Sequence, residues 1–418
     1  MRACVLMALA FLLVTGAILP VLADEAKPPS PQTDGLAIPA RYDQVWEFTD
    51  GLALVRIGDK CGLIDKTGKE ITPLQYESVY SYNQSVYYTD GLIEVASNNK
   101  WGYIDHTGKE VIPPRFDAVG RFSEGLAVVW SNGKCGFIDR TGKVVIQPKY
   151  LWADNFSQGM SRVGLNYKVC GFIDKTGKEV IPLKYEGARS YSEGLAVAGS
   201  AMKYGFIDKT GKQVIPEKFD GAESFADGLA AVRLNGKCGF IDKTGKAVIP
   251  LRYDSTTEFI GGFCLVSIKN KCGFIDTTGK EITPLKYDDA APFCEGLALV
   301  KGNGKWGVIG KTGKQITPLQ YDAISHFCEG LARVTLNGKW GFIDKTGKEV
   351  IPVKYNVVAD CSEGLVLIVI NRKSGFFDKT GKEVLPPRYD AARRFSDGMA
   401  AVLLNGKWGF IAHPAMEK

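Results

Sequence analysis

Short apolar runs and polar turns alternate along this chain in a fixed order. A run of the form Gly-Leu-Ala-x-Val, as at Gly125 to Val129, leads to a polar tip, Asn132-Gly133, and then to a mixed run, Lys134 to Asp139. Asn-Gly suits the two positive φ angles of a type I′ turn, so the pair reads as a β-hairpin. Asp-x-Thr-Gly-Lys follows. Gly142 can take the left-handed position of a longer hairpin loop, and Asp139 can bond backbone groups within it. A third short strand is predicted over Val144 to Ile146. A Pro usually ends that strand, as Pro113 and Pro182 do, because Pro cannot continue a ladder. A segment such as Arg115-Phe116-Asp117 then reaches the next unit.

The order recurs from one end of the chain to the other. An aromatic-or-Cys residue followed by Gly begins at Cys61, Trp101, Cys135, Cys170, Tyr204, Cys238, Cys272, Trp306, Trp340 and Trp408, with Ser374 as a variant. The spacing is 34 from Cys170 onward and 40, 34 and 35 before it. The extra residues lie around Tyr82 to Tyr88 and near Tyr167, in connections, where a modular array tolerates them. The expected fold is all-β: a tandem repeat of about 34 residues with three short antiparallel strands per unit. The chain reaches its first unit through a third-strand segment, Leu36 to Asp43, and leaves through a second strand, Trp408 to Ile411. An open superhelical array is the expectation. A closed, propeller-like ring is the alternative, since propellers usually have four to eight four-stranded blades.

Two aromatic columns are expected to form the core. Tyr42, Tyr76, Phe116, Tyr150, Tyr185, Phe219, Tyr253, Tyr287, Tyr321, Tyr355 and Tyr389 fill the first. Phe48, Tyr88, Phe122, Phe156, Tyr191, Phe225, Phe259, Phe293, Phe327 and Phe395 fill the second, with Cys361 as its one break. The Gly after each Trp or Cys is read as letting one of these rings lie against the backbone.

Lys339 to Pro352, K-W-G-F-I-D-K-T-G-K-E-V-I-P, resembles the consensus of the WG-repeat (KWG) proteins, and the resemblance extends over Leu36 to Ile411. It implies a mainly bacterial, all-β repeat protein without shared catalytic residues, acting as an interaction or envelope-associated module. Cys stands at five of the eleven Trp positions, which argues against the Trp ring as a ligand platform.

The ends add a compartment. Arg2 precedes an apolar run, Ala3 to Leu22, and Ala23 supplies a small residue at its end. A signal peptide over 1–23 is expected, then a Pro-rich linker over 24–35, the eleven repeats over 36–412 and a tail over 413–418. Export to the periplasm or outside the cell follows, with an N-terminal membrane anchor as the alternative and no membrane span after cleavage. The net charge is only +6, or +5 without Arg2, so nucleic acid is not expected as a partner. A monomer is expected.

Candidate chemistry is sparse. There are three His, at positions 106, 326 and 413, and no metal spacing or Ser-His-Asp set. Gly102 to Lys109 has one residue too many for a phosphate loop, and Asp-x-Thr-Gly lacks the carboxylates of a calcium loop. No catalytic residue, metal or cofactor is therefore expected. Cys61, Cys135, Cys170, Cys238 and Cys272 read as small buried hydrophobes, with Cys135/Cys170, Cys238/Cys272 and Cys294/Cys328 as conceivable disulfides. The surface signal is a set of turn lysines: Lys69, Lys109, Lys143, Lys178, Lys212, Lys246, Lys280, Lys314, Lys348 and Lys382. Lys66, Arg140 and Lys175, two positions before the turn Gly, add to it. Stacked units would align these as a basic ridge able to hold an anionic envelope polymer by many weak contacts. The expected function is an exported, non-catalytic scaffold for a protein or an envelope polymer. A structural spacer and a hydrolase-type enzyme are the alternatives.

Overall fold

Most repeats fold as predicted at their two hairpins. Asn132 and Gly133 have φ of 52° and 71°, so the Asn-Gly tip is a type I′ turn. In the next loop the Asp139 carboxylate accepts from the Thr141 and Lys143 N–H groups at 2.9 and 3.1 Å, while Gly142 sits at φ 83°. The computed structural model describes residues 35–82, 85–86 and 88–416, without the side chains of 81–89 and 416. The expected leader over 1–23 and nearly all of the linker lie outside the described residues.

In eight of the eleven blades the unit has four strands rather than three. Blade 9, for example, comprises Ala323–Ile324, Leu331–Leu336, Lys339–Asp344 and Glu349–Tyr355, paired antiparallel in that order. The inner two-residue strand precedes a second tight turn, Glu329-Gly330, whose φ angles are 51° and 87°. The outer strand does not end at its Pro. It continues through Pro352 by a bulge: Phe342 faces Ile351 and Trp340 faces Tyr355, so two residues oppose four. Pro is tolerated there because this strand is the blade's free edge and the bulge needs no N–H from it.

The bulge also corrects the role of the Gly in each Trp-Gly pair. A Cβ on Gly341 would meet the Ile351 carbonyl oxygen at 2.6 Å and the Pro352 carbonyl carbon at 2.7 Å. Gly admits the folded-over outer strand, not an aromatic ring.

Both faces of the middle strands are buried, one against each neighbouring blade. Between blades 3 and 4, Val128, Phe137, Ile146 and Tyr150 pack on Phe156, Val163 and Ile173. The two aromatic columns are core as expected: Phe137 and Phe156 meet edge-on at 4.8 Å, and only Tyr355 and Phe259 of the described members are half-buried. Each such ring contributes about 1.5–3 kcal/mol by leaving water.

The array closes, against the expectation of an open superhelix. Ile38–Tyr42 pairs with Lys407–Ala412 and becomes the outer strand of blade 11. The seam repeats contacts made at other interfaces. Ser396 Oγ donates to the Phe48 carbonyl at 2.7 Å, as Ser362 does to Phe395. Gly51 N–H donates to Asp397 at 2.6 Å, as Gly398 does to Glu363 at 3.0 Å. Closure makes these contacts at the seam, where an open array would leave them unmade.

Candidate functional site

Strand alternation sends the turns to two faces. The inner-to-second turns and the Asp-x-Thr-Gly-Lys loops share one, the loop face. The Asn-Gly tips and the connections between blades share the other, the tip face.

On the loop face the basic residues divide into two sets. Five of the lysines two positions before the turn Gly reach the acid of the preceding blade, among them Lys175 to Glu124 at 3.1 Å, Lys243 to Glu193 at 3.0 Å, Lys345 to Glu295 at 2.9 Å and Lys66 to Asp397 at 2.6 Å, whereas Lys209 and Lys311 take part in no ion pair among the described residues. The five paired lysines are interblade links and do not add free charge to the ridge expected from sequence. Those after the Gly, Lys69, Lys109, Lys143, Lys178, Lys212, Lys246, Lys280, Lys314, Lys348 and Lys382, are all exposed, and none takes part in an ion pair among the described residues. Because they belong to the loops before the outer strands, they stand around the outer part of this face. The ring spreads them along a circle; it does not gather them. The Asp of each loop is committed internally: a hydrogen bond from Thr141 first, then from backbone N–H groups, holds Asp139 below the usual carboxylate range.

At the centre, the inner strands of blades 4 to 11 surround a cavity of about 2600 Å³. Its wall shows what the sequence reading missed. The position two before the second aromatic is Trp46, Gly120, Asp154, Arg189, Glu223, Thr257, Ala291, Ser325, Ala359 and Arg393 in ten of the units, with no common residue. Variation inside an otherwise regular repeat was the available signal. The charges on the wall are mostly paired: Arg162 with Asp154 at 2.8 Å, Arg189 with Glu223 at 2.7 Å and Arg394 with Glu47 at 3.1 Å. Arg333 lies 4.8 Å over the Trp340 ring, with its Nε 3.6 Å from Asp360. Burial lowers the pKa of His326, and Asp360 opposes that shift. Among the described residues no three His, Cys, Asp or Glu side chains could share a metal ion.

All nine cysteines of the repeats are free thiols, so none of the three conceivable disulfides is formed. At the Trp position Cys61, Cys170 and Cys272 donate from Sγ to the carbonyl of the facing tyrosine, Cys61 to Tyr76 at 3.3 Å. Burial pushes the Cys135 thiol up to about 11, which keeps it protonated and unreactive.

A closed ring of small antiparallel blades around a central cavity defines a propeller-type repeat protein. The family described as WG containing repeat matches eleven successive stretches: 33–61, 62–101, 101–135, 136–168, 171–198, 204–238, 239–272, 273–306, 306–340, 340–373 and 375–408. The chain belongs to the WG-repeat family, as its sequence suggested. No curated protein matches it. Among solved structures it is similar to a eukaryotic initiation factor, at 11% identity over 77% of this chain and 98% of that one, with a TM-score of 0.40. It is also similar to BamB from Moraxella catarrhalis, at 14% identity over 71% and 94%, with a TM-score of 0.34. AztD from Citrobacter koseri matches at 13% identity over 63% and 92%, with a TM-score of 0.31. Likenesses this distant carry no functional argument. No helix among the described residues is long and apolar enough to cross a membrane.

Proposed function

We propose that this chain is an exported, non-catalytic ring scaffold that holds an anionic polymer of the cell envelope across the lysines of its loop face. The observation that carries the reading is the division of the basic residues. Five lysines are neutralised between blades, while ten others on the same face stay exposed and, among the described residues, without an ion pair. A single exposed lysine attracts a polyanion weakly. Ten on one circle act together on a long polymer, and their attraction is screened by salt. Export is supported by the basic-then-apolar opening of the sequence.

The test is binding of a polyuronate to the full chain over a salt series, beside a variant with the ten rim lysines changed to Gln. The expected result is a steep loss of affinity with salt and about a tenfold or larger loss in the variant. Binding unchanged by both would refute the reading.

A second reading places a peptide segment of a partner in the central cavity. It is favoured by the concentration of repeat-to-repeat differences on the inner strands, where unlike side chains could select a partner. Neutralising the rim would leave such a complex intact.

A further inference from the structure

The tip face has a regular chemistry that fails in one sector. In most units an Asp in the connection between blades takes the Lys of one blade and a tip N–H of the next. Asp254 accepts from Lys237 at 2.5 Å and from the Lys269 N–H at 2.7 Å. Asp117 does the same with Lys100 at 2.5 Å and the Asn132 N–H at 2.6 Å. Around blades 3 to 5 these polar positions turn apolar. Leu151 stands where the Asp belongs, and Val169 where the Lys belongs. The tip of blade 4 is one residue longer and carries Leu165 and Tyr167. The tip of blade 5 is Ala201-Met202 in place of Asn-Gly. Tyr167 and Met202, at 84% and 83%, are the most exposed large hydrophobic side chains described, with Leu165 at 54%.

Folding does not account for this. Ala201 and Met202 hold φ of 49° and 58°, a conformation that Asn-Gly takes at lower cost. The turn gives up stability to place Met202 in water. The blade 4 tip is braced, not loose: the Trp152 indole N–H donates to the Asn166 carbonyl at 2.9 Å, and Asn166 Oδ1 accepts from the Lys168 N–H at 2.8 Å.

The charges favour one kind of partner. With Leu151 in place of its Asp, Lys134 is exposed and takes part in no ion pair among the described residues, and the same is true of Lys168. The nearby acids are committed to backbone: Glu186 accepts the Ala201 N–H at 2.8 Å and Glu217 the Ser200 N–H at 3.2 Å. Hairpin tips that present an aromatic and two other apolar side chains to solvent, with flanking lysines, have the chemistry of a bilayer interface. Aromatic rings settle at headgroup depth, aliphatic tips reach the acyl boundary and lysines meet anionic headgroups.

We propose that this sector of the tip face, Leu165, Tyr167 and Met202 with Lys134 and Lys168, docks the ring on an anionic lipid surface. The proposal does not rest on the rim lysines, which stand on the opposite face.

The experiment is co-sedimentation of the full chain with phosphatidylcholine vesicles, with and without phosphatidylglycerol. The chain is expected to bind the mixed vesicles. Ala201→Asn with Met202→Gly restores the turn used elsewhere in the ring. It should raise the melting temperature while weakening vesicle binding about tenfold, as should Leu165→Asn with Tyr167→Ser. Leu151→Asp, which returns a partner to Lys134, should weaken binding only where phosphatidylglycerol is present. The variant with all ten rim lysines neutralised should keep vesicle binding and its dependence on the tips. The proposal is overturned if neither vesicle binds the chain, if the restored-turn variant binds as the native chain does, or if binding follows the rim lysines. Cross-linking of the tips to a protein, with no vesicle binding, would also overturn it, in favour of a protein partner.

Discussion

At the scale of single residues, two side-chain positions carry sharp consequences. Gly341 faces a backbone that cannot retreat, because the outer strand is pinned on either side of the bulge by Ile351 and Tyr355. Gly341→Ala should cost about 3 kcal/mol in chemical denaturation, near the top of the overpacking range. Glu94 is the other. It stands where sibling blades carry Leu54, Val128 or Leu299, and it is buried. Burial pushes its carboxyl up to about 7, with Arg121 pulling the other way. The neutral form is therefore preferred in the folded chain, so its contribution is full below about pH 4.5 and is lost as pH rises through about 7. Glu94→Gln should flatten stability across that window and raise it by up to roughly 3 kcal/mol at pH 8, measured by urea unfolding. The aromatic columns and buried cysteines were legible because their residue type recurs at one position. The cause of the Gly was not, since the spacing does not say which backbone approaches it.

At the scale of the element, the tight turns were readable because φ-positive pairs have a narrow chemistry, Asn-Gly above all. The inner strand was not. It is two residues long in most blades, has no apolar alternation, and its turn is written Glu-Gly or Asp-Gly rather than Asn-Gly. The outer strand was cut short at Pro for a sound reason that a bulged edge strand escapes. The Glu of the inner turn also ties one blade to the next. Glu329 accepts the Glu363 and Gly364 N–H groups at 2.7 and 2.9 Å and pairs with Lys379 at 3.0 Å. Burial works against its charge, but Lys379 and the two N–H groups outweigh it, and its pKa falls below the ordinary 4.5. That linkage is present above about pH 4.5 and is lost as pH falls further, the opposite sense to Glu94. Glu329→Ala should cost about 1–2 kcal/mol and speed hydrogen exchange at the Glu363 and Gly364 amides before the rest of the blade.

At the scale of the whole molecule, the eleven-fold repeat was plain in the sequence but the closure was not. Closure depends on the small angle between neighbouring blades, and no single repeat states it. Small-angle scattering should show a flat disc with a central depression, not an elongated rod. Removing residues 36–43 should leave blade 11 with an unpaired edge at Lys407–Ala412, and gel filtration should then show dimers or larger species. The seam has a further consequence in time. Ile38–Tyr42 leaves the ribosome long before Lys407–Ala412 exists, so the earliest strand must wait, unpaired, for the latest. Ten blades can stack in turn as they are made, yet the circle completes only in one final long-range event. A pause or early stop in translation would therefore release an arc with two sticky ends, each seeking the partner that another such arc can provide.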